Sequence, residues 1–134
     1  MQRRHLLHTA AALAVFALGQ PSLAQNTFPS KPIKLVIAFP AGGPTDITMR
    51  SLADNAGKIL GQPVIVENKP GAGAIIGIDT VVKSPADGYT LLMTTSGTVW
   101  QNRVLYTKLP YNLDKDLTPI AVFPSGPLVV GVSE

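Results

Sequence analysis

Cysteine is missing from the chain, and histidine nearly so: only His5 and His8 occur, both within the first two dozen residues. The first absence excludes a disulfide framework, a thiolate metal site and a lipid-modified N-terminal cysteine. The second removes the usual base from everything downstream. Without His or Cys, residues 25–134 cannot by themselves assemble a Ser-His-Asp triad, a Cys-His pair or a histidine metal site. Acid–base chemistry near neutral pH would fall on a carboxylate or lysine with a strongly displaced pKa. Charge is scarce too, at 14% of residues. Eleven Lys/Arg stand against eight Asp/Glu, but Arg3 and Arg4 belong to an N-terminal leader, so the remainder carries only +1. No basic run or basic-aromatic patch is left, and nucleic-acid binding has no support. Nor does any apolar run reach the about 20 residues that a membrane-spanning helix needs.

What is present begins with that leader. Gln2-Arg3-Arg4-His5 is a basic start, and residues 6–18 are apolar apart from His8 and Thr9. Gly19-Gln20-Pro21 ends the helix, and Ser22-Leu23-Ala24 offers small residues where a signal peptidase reads. Residues 1–24 are predicted to be a signal peptide, with a mature, untethered, periplasmic protein starting at Gln25. The paired arginines leave two export routes open, general secretory and twin-arginine.

Downstream, strand and helix signals alternate at short spacing. Residues 33–39 form an apolar run suited to a strand buried on both faces. A helix is predicted over 46–60, with Leu52, Ala56, Ile59 and Leu60 as its core stripe, Thr45 or Asp46 as N-cap and Gly61 as its stop. A strand over 63–66, a turn over 67–71 and a helix over 73–83 follow, the helix burying Ala74, Ile78, Val81 and Val82. Pro85-Ala86-Asp87-Gly88 reads as a turn with Gly88 free to take positive φ. A strand over 90–94 leads into a helix through Leu105 and Trp100, whose ring either lines a ligand cleft or, by default, packs the following helix. Residues 110–115 read as a loop, and 118–123 and 128–132 as further strands. This alternation predicts βαβ units and a mostly parallel α/β sheet. The apolar strand at the end of the chain would be left unpaired, so the sequence reads as truncated.

In such a sheet, ligands bind outside the carboxyl ends of the strands. Two loops are predicted there. Phe39-Pro40-Ala41-Gly42-Gly43-Pro44-Thr45-Asp46 joins a strand to a helix, so free N–H groups and the positive end of the helix dipole suit it to a carboxylate or phosphate. Thr94-Thr95-Ser96-Gly97-Thr98 offers hydroxyls and backbone donors at a second such junction. Each loop can equally be a connecting turn with a helix cap, and Asp46 fits a cap better than a ligand-reading carboxylate. Gly71-Ala72-Gly73-Ala74-Ile75-Ile76-Gly77 has the outline of a dinucleotide-binding turn, but Pro70 precedes it and no acidic residue follows strand 90–94 to hold a ribose. Close helix–sheet packing explains those glycines better.

Several motifs, taken together, carry a resemblance to a known family. Phe28-Pro29-Ser30-Lys31-Pro32-Ile33 is followed by Phe39-Pro40-Ala41-Gly42-Gly43-Pro44-Thr45-Asp46, then Leu60-Gly61-Gln62-Pro63-Val64-Ile65-Val66-Glu67-Asn68-Lys69-Pro70-Gly71-Ala72-Gly73. Asp87-Gly88-Tyr89-Thr90-Leu91-Leu92, Thr95-Ser96-Gly97-Thr98 and Leu109-Pro110-Tyr111 complete the series. In this order, across residues 28–132, the chain resembles the substrate-binding proteins of tripartite tricarboxylate transporters, the Bug family. The resemblance implies a two-lobed, type II-like Venus-flytrap periplasmic binding protein. Residues 25–127 would be part of its first lobe, and residues 128–134 the start of the crossover to a second lobe not present here. It implies no catalysis and no cofactor or metal. The solute would be a small organic anion (a di- or tricarboxylate, an amino acid or an aromatic acid), handed to membrane permease subunits by a protein monomeric when complete. Phe39, Ala41, Gly42, Gly43, Pro44, Thr45, Asp46, Thr95, Ser96, Gly97 and Thr98 would hold it through backbone amides, hydroxyls and bridging waters. The alternative is an exported hydrolase acting on carboxylates through Ser96 or Asp46.

Overall fold

The computed structural model describes residues 27–123. The expected signal peptide and the expected strand over 128–132 lie outside the described residues. Three strands build the sheet: β1 (Ile33–Ile37), β2 (Val64–Asn68) and β3 (Thr90–Met93), in the order β2-β1-β3. Both pairings are parallel, with Ile33 opposite Val64 on one side and Lys34 opposite Thr90 on the other. The parallel α/β expectation therefore holds. Parallel neighbours need crossovers, which α1 (Pro44–Leu60) and α2 (Ile75–Val82) supply. β2 and β3 flank β1 on opposite sides, so right-handed crossovers send α1 and α2 to opposite faces of the sheet.

The two cores show this separation. On the α1 face, Leu35, Ile37 and Met49 pack with Phe39, Val64, Val66, Leu91 and Met93. On the α2 face, Ala38, Ala74, Ile78 and Tyr111 pack with Ile75, Val82, Leu92 and Leu109. Alternate residues of β1 thus serve opposite cores, which is why the strand reads as a continuous apolar run. Val36, Ile37 and Ile78 are fully buried, and each such side chain contributes roughly 1.5–3 kcal/mol by leaving water. Gly77 lets α2 approach the sheet: a Cβ there would lie 2.8 Å from Ala38 Cβ and 3.0 Å from the Lys69 carbonyl oxygen. The packing explanation for this glycine holds.

Several local expectations fail, each for a physical reason. The buried side of α1 is Asp46, Met49 and Ala53, whereas Leu52, Ile59 and Leu60 are exposed. The helical period is right, but the face is rotated by one residue, because the sheet selects the side carrying the ion-paired Asp46. The N-cap of α1 is Gly43, with no side-chain cap bond, and Pro44 follows in the first turn, where a missing N–H costs nothing. Glu67 and Asn68 belong to β2 rather than to a turn, held by Lys69 N–H donating to Ile37 O at 2.8 Å. Beyond β3, α3 (Ser96–Leu105) forms as expected, but Trp100 is 63% exposed and lies against the Arg103 guanidinium, not in a core. The segment read as a loop holds a single helical turn, α4 (Leu113–Asp116), capped by the Asn112 side chain. Residues 118–123 form no strand. Their β-branched residues suit a strand, but a strand needs an edge to pair with, and Ile120 and Val122 stand in solvent.

Candidate functional site

The order β2-β1-β3 makes a topological switch point between β1 and β3, where successive connections leave toward opposite faces of the sheet. A cleft of about 340 Å³ opens at the carboxyl ends of the strands. Phe39 and Pro40 line it after β1, Pro70, Gly71, Gly73 and Ala74 after β2, and Thr98, Asn102 and Tyr106 on α3. Of the residues predicted to hold the solute, Phe39 and Thr98 stand on its walls. Ala41, Gly42, Gly43, Pro44 and Thr45 continue from the Phe39 wall into α1, and Thr95, Ser96 and Gly97 lead into α3.

Asp46 has a different place. Its side chain is buried and faces inward, at the third position of α1. One carboxylate oxygen accepts from the Gly42 amide at 2.8 Å and from Arg50 Nε at 3.1 Å. The other accepts from Asn68 Nδ2 at 2.9 Å and pairs with the Arg50 guanidinium at 3.0 Å. The Arg50 bond, then the Gly42 amide and the Asn68 amide, hold the pKa of Asp46 down at about 2. So strong an acid is a poor base, and every lone-pair direction is engaged, which removes Asp46 from the hydrolase alternative. Its role is to fix the loop. It reaches back to Gly42, one residue before the N-cap, and the turn needs Gly42 at φ +81°. That bond also uses the Gly42 N–H. Among the described residues, the amides of Gly43 and Thr45 keep no intrachain acceptor, as expected of a helix start.

At α3, Thr95 is the N-cap, and its hydroxyl accepts from the Thr98 amide at 3.3 Å while bonding the Thr98 hydroxyl at 2.8 Å. The capping reading of this loop is therefore correct, and it leaves the Ser96 and Gly97 amides at the open end of the helix dipole.

Sequence reasoning missed two parts. Asn68, read as a turn residue, ties the end of β2 to both loop and helix: it donates to Phe39 O at 3.1 Å and to Asp46, and accepts from Arg50 at 2.7 Å. The second is the turn over residues 71–74, where φ is positive at four successive positions, including Ala72 at +48° and Ala74 at +70°. Non-glycine residues rarely adopt this region, and such strain concentrates at functional sites. The Gly-Ala-Gly spelling hinted at it. The alanines did not.

A parallel α/β sheet with a cleft at the carboxyl ends of its strands, lined by the loop after β1, a strained turn and α3, defines a mixed α/β lobe. Residues 48–133 match the family model described as "Tripartite tricarboxylate transporter family receptor", and the chain belongs to that family. It is 49% identical over 126 residues to the "UPF0065 protein in gbd 5'region" of Cupriavidus necator, covering 90% of this chain and 38% of that one. It is 41% identical over 119 residues to "Protein BugT" of Bordetella pertussis, covering 88% and 36%. The chain thus spans less than two fifths of the length of these relatives. Among solved structures, it is similar to MatC from Rhodopseudomonas palustris with bound malate, with a TM-score of 0.63 and 39% identity over 69% of this chain and 31% of that one. A second R. palustris protein, solved with adipate, gives a TM-score of 0.59 at 34% identity, covering 63% and 28%. Among the described residues no helix is long and apolar enough to cross a membrane.

Proposed function

We propose that this chain supplies the first lobe of a periplasmic solute-binding receptor that captures a small carboxylate-bearing solute for a tripartite transporter. The observation that carries the reading is the switch-point cleft with two helix starts beside it, at Gly43 and at Thr95, each presenting unbonded amides. Helix starts favour an anion without any cationic side chain. The malate and adipate found in the two R. palustris structures support a carboxylate over a phosphate. The residues from Phe39 to Thr45 and from Thr95 to Thr98 form the ligand-facing set, with Asp46 acting behind them. Residues 1–24 direct export, residues 25–127 belong to the first lobe, and residues 128–134 begin the crossover toward a second. Membrane permease subunits are the downstream partner.

The test is a thermal-shift screen followed by titration calorimetry against malate, adipate, citrate, aspartate and benzoate. Saturable binding of at least one acid, with no binding of its methyl ester, is the expected result. Equal response to acid and ester, or none to any acid, refutes the reading.

A further inference from the structure

We propose that Asn102 is a positioning residue: its side-chain amide locks the wall after β2 to the wall formed by α3, and so sets the width of the cleft. The proposal rests on the solute-binding reading. Asn102 is 3% exposed, and a buried amide is tolerated only where it is hydrogen-bonded. Its Nδ2 donates to the Gly73 carbonyl at 2.9 Å and faces the Tyr111 hydroxyl at 3.4 Å. Asn102 lies one helical turn after Thr98 on one face of α3, and Tyr106, the C-cap whose N–H donates to the Asn102 carbonyl, continues that face. That face is the one turned to the cleft.

The partner of this bond is the part of the site least able to hold itself. Residues 72–74 all have positive φ, a conformation that persists only where its surroundings impose it. Gly73 adds close approach: a Cβ there would stand 3.3 Å from both Asn102 Oδ1 and the Tyr106 hydroxyl. The turn is thus pressed against α3, with a single buried amide reaching its backbone. One side chain thereby connects two cleft walls that are 29 positions apart in the chain.

The experiment uses the complete receptor, with both lobes present, and the variants Asn102→Ala, Asn102→Asp and Tyr111→Phe. Ile33→Val, in the core but at the far end of the sheet, is the control. Asn102→Asp keeps the shape and, when ionised, sets an acceptor against the Gly73 carbonyl. In ligand-free protein, amide spectra and hydrogen exchange should show residues 72–74 shifted and exchanging about tenfold faster in both Asn102 variants. Tyr111→Phe should be intermediate and Ile33→Val unchanged. Malate affinity, measured well below each melting temperature, should follow the same order, about tenfold weaker in Asn102→Ala. If Asn102→Ala does not fold, Asn102→Asp and Tyr111→Phe carry the same readouts. Unmoved turn amides in the Asn102 variants overturn the proposal. So does a loss of affinity that Ile33→Val shares in proportion to its lost stability. If wild type binds none of the five acids of the screen, the solute reading fails, and the ligand-free amides alone decide the role of Asn102.

Discussion

Four donor contacts converge on the Asp46 carboxylate, from the Gly42 amide, Arg50 and Asn68, and this makes the loop before α1 sensitive to acid. The folded pKa of about 2 lies below the ordinary aspartate value of 3.8. The stabilisation is therefore fully present above the unfolded value and is lost as pH falls from 3.8 toward 2. A plot of melting temperature against pH should fall through that window, and Asp46→Asn should flatten this part of the curve while lowering its plateau. The neutral amide cannot accept at both oxygens, so it sets a donor against a donor. An unchanged acid limb in the variant would show that the carboxylate is not held as described. Gly42 gives a second test at this scale. Its φ of +81° with open space around the Cβ position means that Gly42→Ala meets backbone strain and no clash. At Gly43, where φ is −75°, alanine should be accepted. Chemical denaturation of the two variants should separate them by about 1 kcal/mol.

At the scale of elements, the packing of α2 on the sheet is tightest where Gly77 meets Ala38 and Lys69. Gly77→Ala should push the helix outward and cost roughly 1–3 kcal/mol, as overpacked sites do, read as a lower denaturation midpoint at constant slope. A gain in stability would mean that α2 sits further from β1 than described. The elements also show where sequence reading succeeds. β1 was legible because burial on both faces leaves Lys34 as the one polar residue of its run, and α2 because the buried Ile78 and half-buried Val81 and Val82 hold to helical spacing. α1 was misread because its buried face carries an acid, a methionine and an alanine, while larger aliphatics face out. Hydrophobic spacing cannot anticipate that an arginine and an asparagine will neutralise a buried carboxylate. Within the cleft, the loops after β1 and β3 were visible as glycine and hydroxyl clusters at strand ends. The turn over residues 71–74 and the Asn102 bridge were not, since an asparagine inside a helix gives no sign that its partner lies 29 residues away.

At the scale of the molecule, several large aliphatic side chains of the described residues face outward. Ile47, Ile59 and Val104 stand mostly in solvent, as do Ile120 and Val122, and among the described residues β2 and β3 each have one paired edge. Open edges and apolar faces favour association. Sedimentation velocity on the mature chain should show self-association rising with concentration, and hydrophobic dye binding should exceed that of a typical folded domain. A monomer at all concentrations that binds no dye would contradict this.

Trp100 gives this surface a further use. It is the single tryptophan of the chain, mostly exposed on α3 with Arg103 against its ring, two residues beyond Thr98 and beside the cleft-lining Gln101. Within these 134 residues, intrinsic emission at long excitation wavelength therefore comes from one place, next in sequence to a residue of the cleft. The free protein should emit at the red end of the range for indole, and solute capture that draws α3 toward another surface should shift the maximum to the blue. The protein carries its own optical gauge of occupancy, readable without a label.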